Sequence, residues 1–318
     1  MSEGIVRVSA VAIYSNLTTF AELPVVLFDN DDDEAPDDPA AVAWRIEMED
    51  FEAPAEDFQA AFDQLLERVG GDGPAALVIG EWGSAYERDF PYDLLVRNAS
   101  RLGGLRALFV ADLVSEQCEI SWIRQGDLNP LLEALPRLEA LWVRGSEGLE
   151  LKPLRHEGLR QLAFESGGLP ADIVRAVGAS DFPNLTHLEL WLGVSNYGGD
   201  ARAEDLAPIL AGRALPALTS LGLRNAEIAD EVAAAVAAAP VVARLTALDL
   251  SLGVMSDAGG EALLTGQPLT HLTSLNLSHH FMSEEVAQRL VEELPGVRVD
   301  VSDRKQEEEW GRYTSVSE

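Results

Sequence analysis

Cysteine is almost absent from this sequence: Cys118 stands alone among 318 residues. A single thiol closes no internal disulfide, and nothing around it has the thiolate or imidazole spacing that holds zinc, so a cytoplasmic, reducing compartment is expected. Long apolar runs are missing too. The best candidate, Val232 to Ala243, is Ala-rich, carries Pro240 and is too short to cross a bilayer, so no membrane segment is expected. The opening MSEGIVRVSAVAIYSN has no basic stretch leading into an apolar run and does not read as a secretory signal. Basic residues are scarce: 23 Lys and Arg face 54 Asp and Glu, for a formal charge of −31. The run DNDDDEAPDD, Asp29 to Asp38, holds only part of that excess. Nucleic-acid binding depends on neutralising phosphates with Lys and Arg, which argues against such a partner. The excess favours a basic protein or peptide, or simply solubility.

Catalytic signatures are lacking as well. No G-x-S-x-G occurs, and GGDGP (Gly70 to Pro74) lacks the G-K-[ST] ending of a phosphate loop. Cys118 lies between Gln117 and Glu119, in an acidic setting that raises a thiol pKa rather than activating it. No catalytic residue, cofactor or metal is expected.

What is present is a repeat. The signature L-x-x-L-x-L recurs as LRALFV, LEALWV, LRQLAF, LTHLEL, LTSLGL, LTALDL and LTSLNL, beginning at Leu105, Leu138, Leu159, Leu185, Leu218, Leu245 and Leu272. AALVI (Ala75 to Ile79) precedes the series and VDVS (Val299 to Ser302) closes it. From Leu108 the second leucines, and finally Val299, stand 33, 21, 26, 33, 27, 27 and 24 residues apart. Helical segments intervene: SEEVAQRLVEEL opens on the N-cap Ser283 and places Val286, Leu290 and Leu294 on one face. A strand followed by a helix cannot bury its apolar face alone, so stacked copies are expected.

This pattern resembles the leucine-rich repeat family, in its ribonuclease-inhibitor-like branch. The resemblance implies an α/β solenoid over residues 74–302, with parallel inner strands and outer helices. Residues 1–73 are expected to form an N-terminal α+β cap bearing the acidic loop 29–38, and 303–318 a loosely held polar tail. A narrower resemblance rests on WRIEMEDFE, ALVIGEWGSAYE, EQCEISWIRQGDL and GRYTSVSE. These are similar to a bacterial leucine-rich-repeat family of unassigned activity whose members are encoded near radical-SAM proteins, which implies an accessory role.

In each repeat the third, fifth and seventh positions leave the strand opposite the leucines, onto the expected concave face. Its middle gathers Trp142, Arg144, Glu165, His187, Glu189, Trp191, Arg224 and Asp249. Tryptophan and arginine dominate binding hot spots. The expected function is therefore a non-enzymatic interaction module that binds a protein or peptide on solvent-facing side chains of that face. One alternative is an acidic inhibitor or immunity protein for a basic enzyme. Another is an enzyme using His187, Glu189 and Asp249 for acid–base or metal work. The long loops 112–127 and 193–200 add Trp122, Arg124 and Tyr197, with Trp122 and Ile123 expected to anchor their connection by burying themselves. Three of the five histidines fall in HLTSLNLSHH. The repeat register turns His280 inward, leaves His279 at the strand's outgoing edge and puts His271 before the strand, so the three do not converge on one ion.

Overall fold

The computed structural model describes residues 13–29, 36 and 38–317. Most of the acidic loop 29–38 and the opening MSEGIVRVSAVA lie outside the described residues.

The fold is mixed α/β. The described residues form twelve strands, mostly parallel: β1 (Thr19–Phe20), β2 (Leu23–Leu27), β3 (Ala43–Ile46), β4 (Ala76–Ile79), β5 (Ala107–Val110), β6 (Ala140–Arg144), β7 (Gln161–Glu165), β8 (His187–Gly193), β9 (Ser220–Ala226), β10 (Ala247–Asp249), β11 (Ser274–Asn276) and β12 (Arg298–Asp300). Among the described residues eight α-helices lie between them: α1 (Ala55–Val69), α2 (Tyr92–Arg97), α3 (Asn129–Ala134), α4 (Ala171–Ala179), α5 (Ala207–Ala211), α6 (Ala229–Val236), α7 (Asp257–Thr265) and α8 (Glu284–Glu293). Among the described residues, no helix is long and apolar enough to cross a membrane.

The chain divides into two compact units. The first takes the described residues up to Leu151 together with His156–Leu162, and the second takes Lys152–Arg155 and Ala163–Ser317. In the first, β1 and β2 are antiparallel, and β2 to β6 then pair in parallel in chain order. In the second, β8 to β12 do the same. The leucine spacing sets the register: Leu108 lies opposite Leu141, Leu188 opposite Leu221, Leu248 opposite Leu275, and Leu275 opposite Val299. Equivalent leucines thus fill one face of the sheet and interlock there. The ladder begins earlier than the L-x-x-L-x-L matches, because β3 pairs with β4 and sets Trp44 against Leu77. AWRI carries the strand without a leucine to mark it.

The helices form where their ends are capped and one face is apolar. In α8 the Ser283 hydroxyl accepts from the Val286 amide at 3.3 Å, and Val286 and Leu290 are buried. In α1, Phe58, Phe62, Leu65 and Leu66 are buried. Left-handed residues lie near the ends of β9 to β11, with φ of 54° at Asn225, 68° at Leu252 and 57° at His279. At Gly193 (φ 68°) only glycine fits, since a Cβ would stand 2.0 Å from the Gly167 carbonyl oxygen.

The C-terminal segment is held, against the expectation of a loose tail. Asn225 Nδ2 donates to the Val316 carbonyl at 2.5 Å and its Oδ1 accepts the Val316 amide at 3.0 Å. Ser315 donates its amide to Leu252, and the Tyr313 ring meets His279 and Phe281 edge-on. The segment is polar in composition, yet Val316 is buried and its backbone groups are satisfied by the Asn225 amide.

Candidate functional site

The register places the expected residues opposite the leucines, but the face is not open. Trp142, Arg144, Glu165 and Trp191 are fully buried, His187, Glu189 and Arg224 nearly so, and only Asp249 keeps partial exposure. The expectation of solvent-facing hot spots is corrected for seven of the eight. Side chains leaving adjacent strands start about 4.8 Å apart, so large ones lie over one another.

In the first unit, Trp142 on β6 stacks on Phe109 of β5 at 6.1 Å, and Phe20 of β1 meets Phe109 edge-on at 5.8 Å. The Arg144 guanidinium lies 5.4 Å from the Phe109 ring centre and donates to the Leu113 carbonyl at 2.6 Å. It also pairs with Asp112 at 3.5 Å. Asp112 is wholly buried, accepts from Arg45 and takes the Leu17 amide at 2.9 Å, while Arg45 reaches Glu47 at 2.6 Å. Arg144 is therefore part of an internal ion network, where a buried charge has the partners it needs.

In the second unit the centre is Glu189 on β8. Its Oε1 accepts from Trp191 Nε1 and from Arg224 Nη1, both at 2.7 Å, and Arg224 lies 5.1 Å from the Trp191 ring centre. The cation–π contact follows from the register, which sets Trp191 directly opposite Arg224. Arg224 Nε donates to Ser251 at 3.1 Å and lies 3.4 Å from Asp249. Asp249 accepts from Ser251 and Asn276. Burial pushes the Glu189 carboxyl up, but the charge of Arg224 and the hydrogen bonds from Trp191 and Arg224 outweigh it and hold it below its usual range. Arg224 is raised although burial alone would lower it, because Glu189, Asp249 and Glu165 surround it with negative charge.

His187 Nδ1 lies 2.9 Å from Ser220 Oγ, and its Nε2 3.7 Å from Glu189 Oε2. Hydroxyl, imidazole and carboxylate stand in the order of an acyl-transfer triad. Ser220, however, opens a regular strand paired with both β8 and β10 and does not stand on a strained turn. Neither Ser220 nor Ser251 stood out in the sequence, because a serine at the start of a strand or just past its end carries no pattern of its own.

Burial lowers His187, His156 and His280 below the ordinary imidazole value of 6.5. Each is neutral when folded and takes up a proton more readily unfolded, so its contribution is complete above about pH 6.5 and declines as pH falls below that. Urea midpoints are expected to drop between about pH 7 and 5, and His187→Asn to flatten part of that slope. An unchanged slope in the variant would mean that His187 is already solvated.

His280 is buried as the register implies, with Nε2 3.0 Å from the Val301 carbonyl oxygen. His279 Nε2 meets Tyr313 O and His271 Nε2 meets Val242 O, so the three histidines serve separate backbone carbonyls. Among the described residues no cluster of His, Cys, Asp and Glu is arranged to hold a metal. Burial, with Glu81 and Glu119 nearby, pushes the Cys118 thiol up to about 12.

The loops show the opposite pattern. Trp122 is 44% exposed and Tyr86 60%, their ring centres 6.0 Å apart. Of the two residues expected to anchor the loop, Ile123 is buried, seated where a Cβ on Gly145 would come within 2.4 Å of it, whereas Trp122 stays out of the core. Arg124 ties the two loops together, donating its amide to Ala85 O at 2.9 Å and its Nε to Asp89 at 2.8 Å. In the other loop Tyr197 is half-buried, and its carbonyl oxygen would sit 2.1 Å from a Cβ on Gly168. Tyr86 carried no signal in the sequence, since its contact with Trp122 joins loops of different repeats.

No family model matches the chain, and no curated protein matches it. Among solved structures, the TLR13–ssRNA13 complex aligns over 85% of this chain and 37% of that one at 14% identity, with a TM-score of 0.39, too low to support a likeness of fold. The crystal structure of a Bacteroides fragilis protein, a structural-genomics target, is similar at a TM-score of 0.75 and 29% identity over 85% of this chain and 77% of that chain. The chain shares its fold with that protein.

Proposed function

We propose that this chain is a non-enzymatic interaction module of the leucine-rich repeat kind. It is a solenoid whose residues before 74 cap its first repeats, and it binds a basic segment of a protein partner at the exposed pair Tyr86 and Trp122. The observation that carries the reading is the contrast in exposure: these two rings stand in solvent, while the tryptophans and arginines of the expected binding face are buried. Two tilted aromatic faces attract an ammonium or guanidinium group. Glu87, Asp89, Glu116 and Glu119 are exposed on the same two loops, and the chain's charge of −31 steers basic partners toward it. Ile123 and the Arg124–Ala85 bond give the pair a fixed base, which reduces the entropy lost on binding.

A fluorescent Lys-rich peptide is the probe. The double variant Tyr86→Ala/Trp122→Ala is expected to weaken its binding by about 1–2 kcal/mol with no change in melting temperature, and a Glu-rich control peptide should not bind. Equal binding by the double variant would overturn the assignment. Salt separates this reading from an inhibitor held by charge alone: steering weakens with ionic strength in both, but the loss of affinity in Tyr86→Ala/Trp122→Ala should persist at high salt only where the rings hold the cation.

A further inference from the structure

A cleft of about 370 Å³ opens in the first unit, walled by Arg106, Arg137, Arg160, Glu139, Glu157 and Gly158. We infer that it is a binding site for the phosphate group of a small phosphomonoester. The inference is independent of the Tyr86–Trp122 reading.

Three arginines converge on one cleft in a chain where acids outnumber bases 54 to 23. Their placement follows from the repeat. Arg106, Glu139 and Arg160 occupy the second position of LRALFV, LEALWV and LRQLAF. Backbone bonds carry the ladder through them, with the Glu139 amide on Arg106 O and the Arg160 amide on Glu139 O, both at 2.7 Å. In the four matches of the second unit the same position holds Thr186, Thr219, Thr246 and Thr273. The charged row is thus confined to the cleft.

Arg106 is held in place, and Arg137 stands open to solvent. Arg106 is fixed through Nη1 on the carbonyls of Gly103 and Leu105, at 3.0 and 2.9 Å. Glu139 stands between Arg106 and Arg160 at 3.7 and 3.4 Å, longer than the roughly 2.7–2.9 Å of a strong charge-assisted bond. Arg137 is exposed and makes no ion pair or hydrogen bond among the described residues. Gly158 keeps backbone close on this side, since a Cβ there would meet Pro136 O at 2.6 Å and Leu138 O at 2.7 Å.

A ligand carboxylate would add little that Glu139 does not already supply. A phosphate dianion brings three accepting oxygens, enough to bridge three guanidiniums, and gains more from their charge. The cleft volume suits a small molecule.

Phenyl phosphate, with benzoate as the carboxylate control, tests this by titration calorimetry on the full chain at low ionic strength. Arg137→Gln and Arg160→Gln are each expected to weaken phenyl phosphate binding roughly tenfold without shifting the melting temperature. Glu139→Gln is expected to tighten it several-fold, because it removes one of the two carboxylates, Glu139 and Glu157, that wall the cleft. The inference is overturned if neither the wild type nor E139Q binds phenyl phosphate, if Arg137→Gln leaves its affinity unchanged, or if benzoate binds equally well.

Discussion

Trp191→Ala is expected to lower folding stability by about 3–5 kcal/mol, as core tryptophans do. The indole is fully buried on the strand face opposite the leucines, hydrogen-bonded to Glu189 and packed beneath Arg224. Alanine leaves a cavity and takes one donor from a buried carboxylate. Leu190→Ala, one residue away on the leucine face, is expected to cost about 2–5 kcal/mol, so the two variants should unfold alike. Both sides of β8 behave as core: every residue of the strand is buried, whereas β10 and β11 alternate between a buried leucine and partly exposed neighbours. Urea unfolding decides the matter. A Trp191→Ala protein with wild-type stability and impaired partner binding would restore the open-face reading.

Glu189→Ala is expected to cost about 3–5 kcal/mol, since it strands a buried guanidinium. Arg224 would keep Asp249 and Ser251 as partners at 3.4 and 3.1 Å, but lose its 2.7 Å bond to Glu189. The double variant Glu189→Ala/Arg224→Met should recover much of that loss, because it removes the stranded charge and refills the space beside Trp191 with apolar volume. If the double variant is no more stable than Glu189→Ala, the pair was not the source of the cost. The depressed carboxyl of Glu189 adds a pH signature below that of the histidines. Its stabilisation is complete above about pH 4.5, the ordinary glutamate value, and is lost as pH falls through its lowered folded value. Glu189→Gln should abolish that step.

The leucine spacing alone determined the strand register, which side of each strand every residue leaves by, and the meeting of Trp191 with Arg224. These follow from local geometry, a period of two along a strand and a fixed distance between strands. The same reasoning placed His280 inward. Alternation in VAWRIEMEDF marked a strand around Trp44, but not its place in the parallel ladder beside β4, nor the role of Asp112, whose partners Arg45 and Arg144 come from distant segments. Exposure was decided by the tertiary structure. Alternation along a strand says which face a side chain takes, but not what stands over that face. Whether Trp191 is a hot spot or a core residue depends on Glu189 and Arg224 folding over it, and whether Trp122 is an anchor depends on Ile123 taking the space beside Gly145.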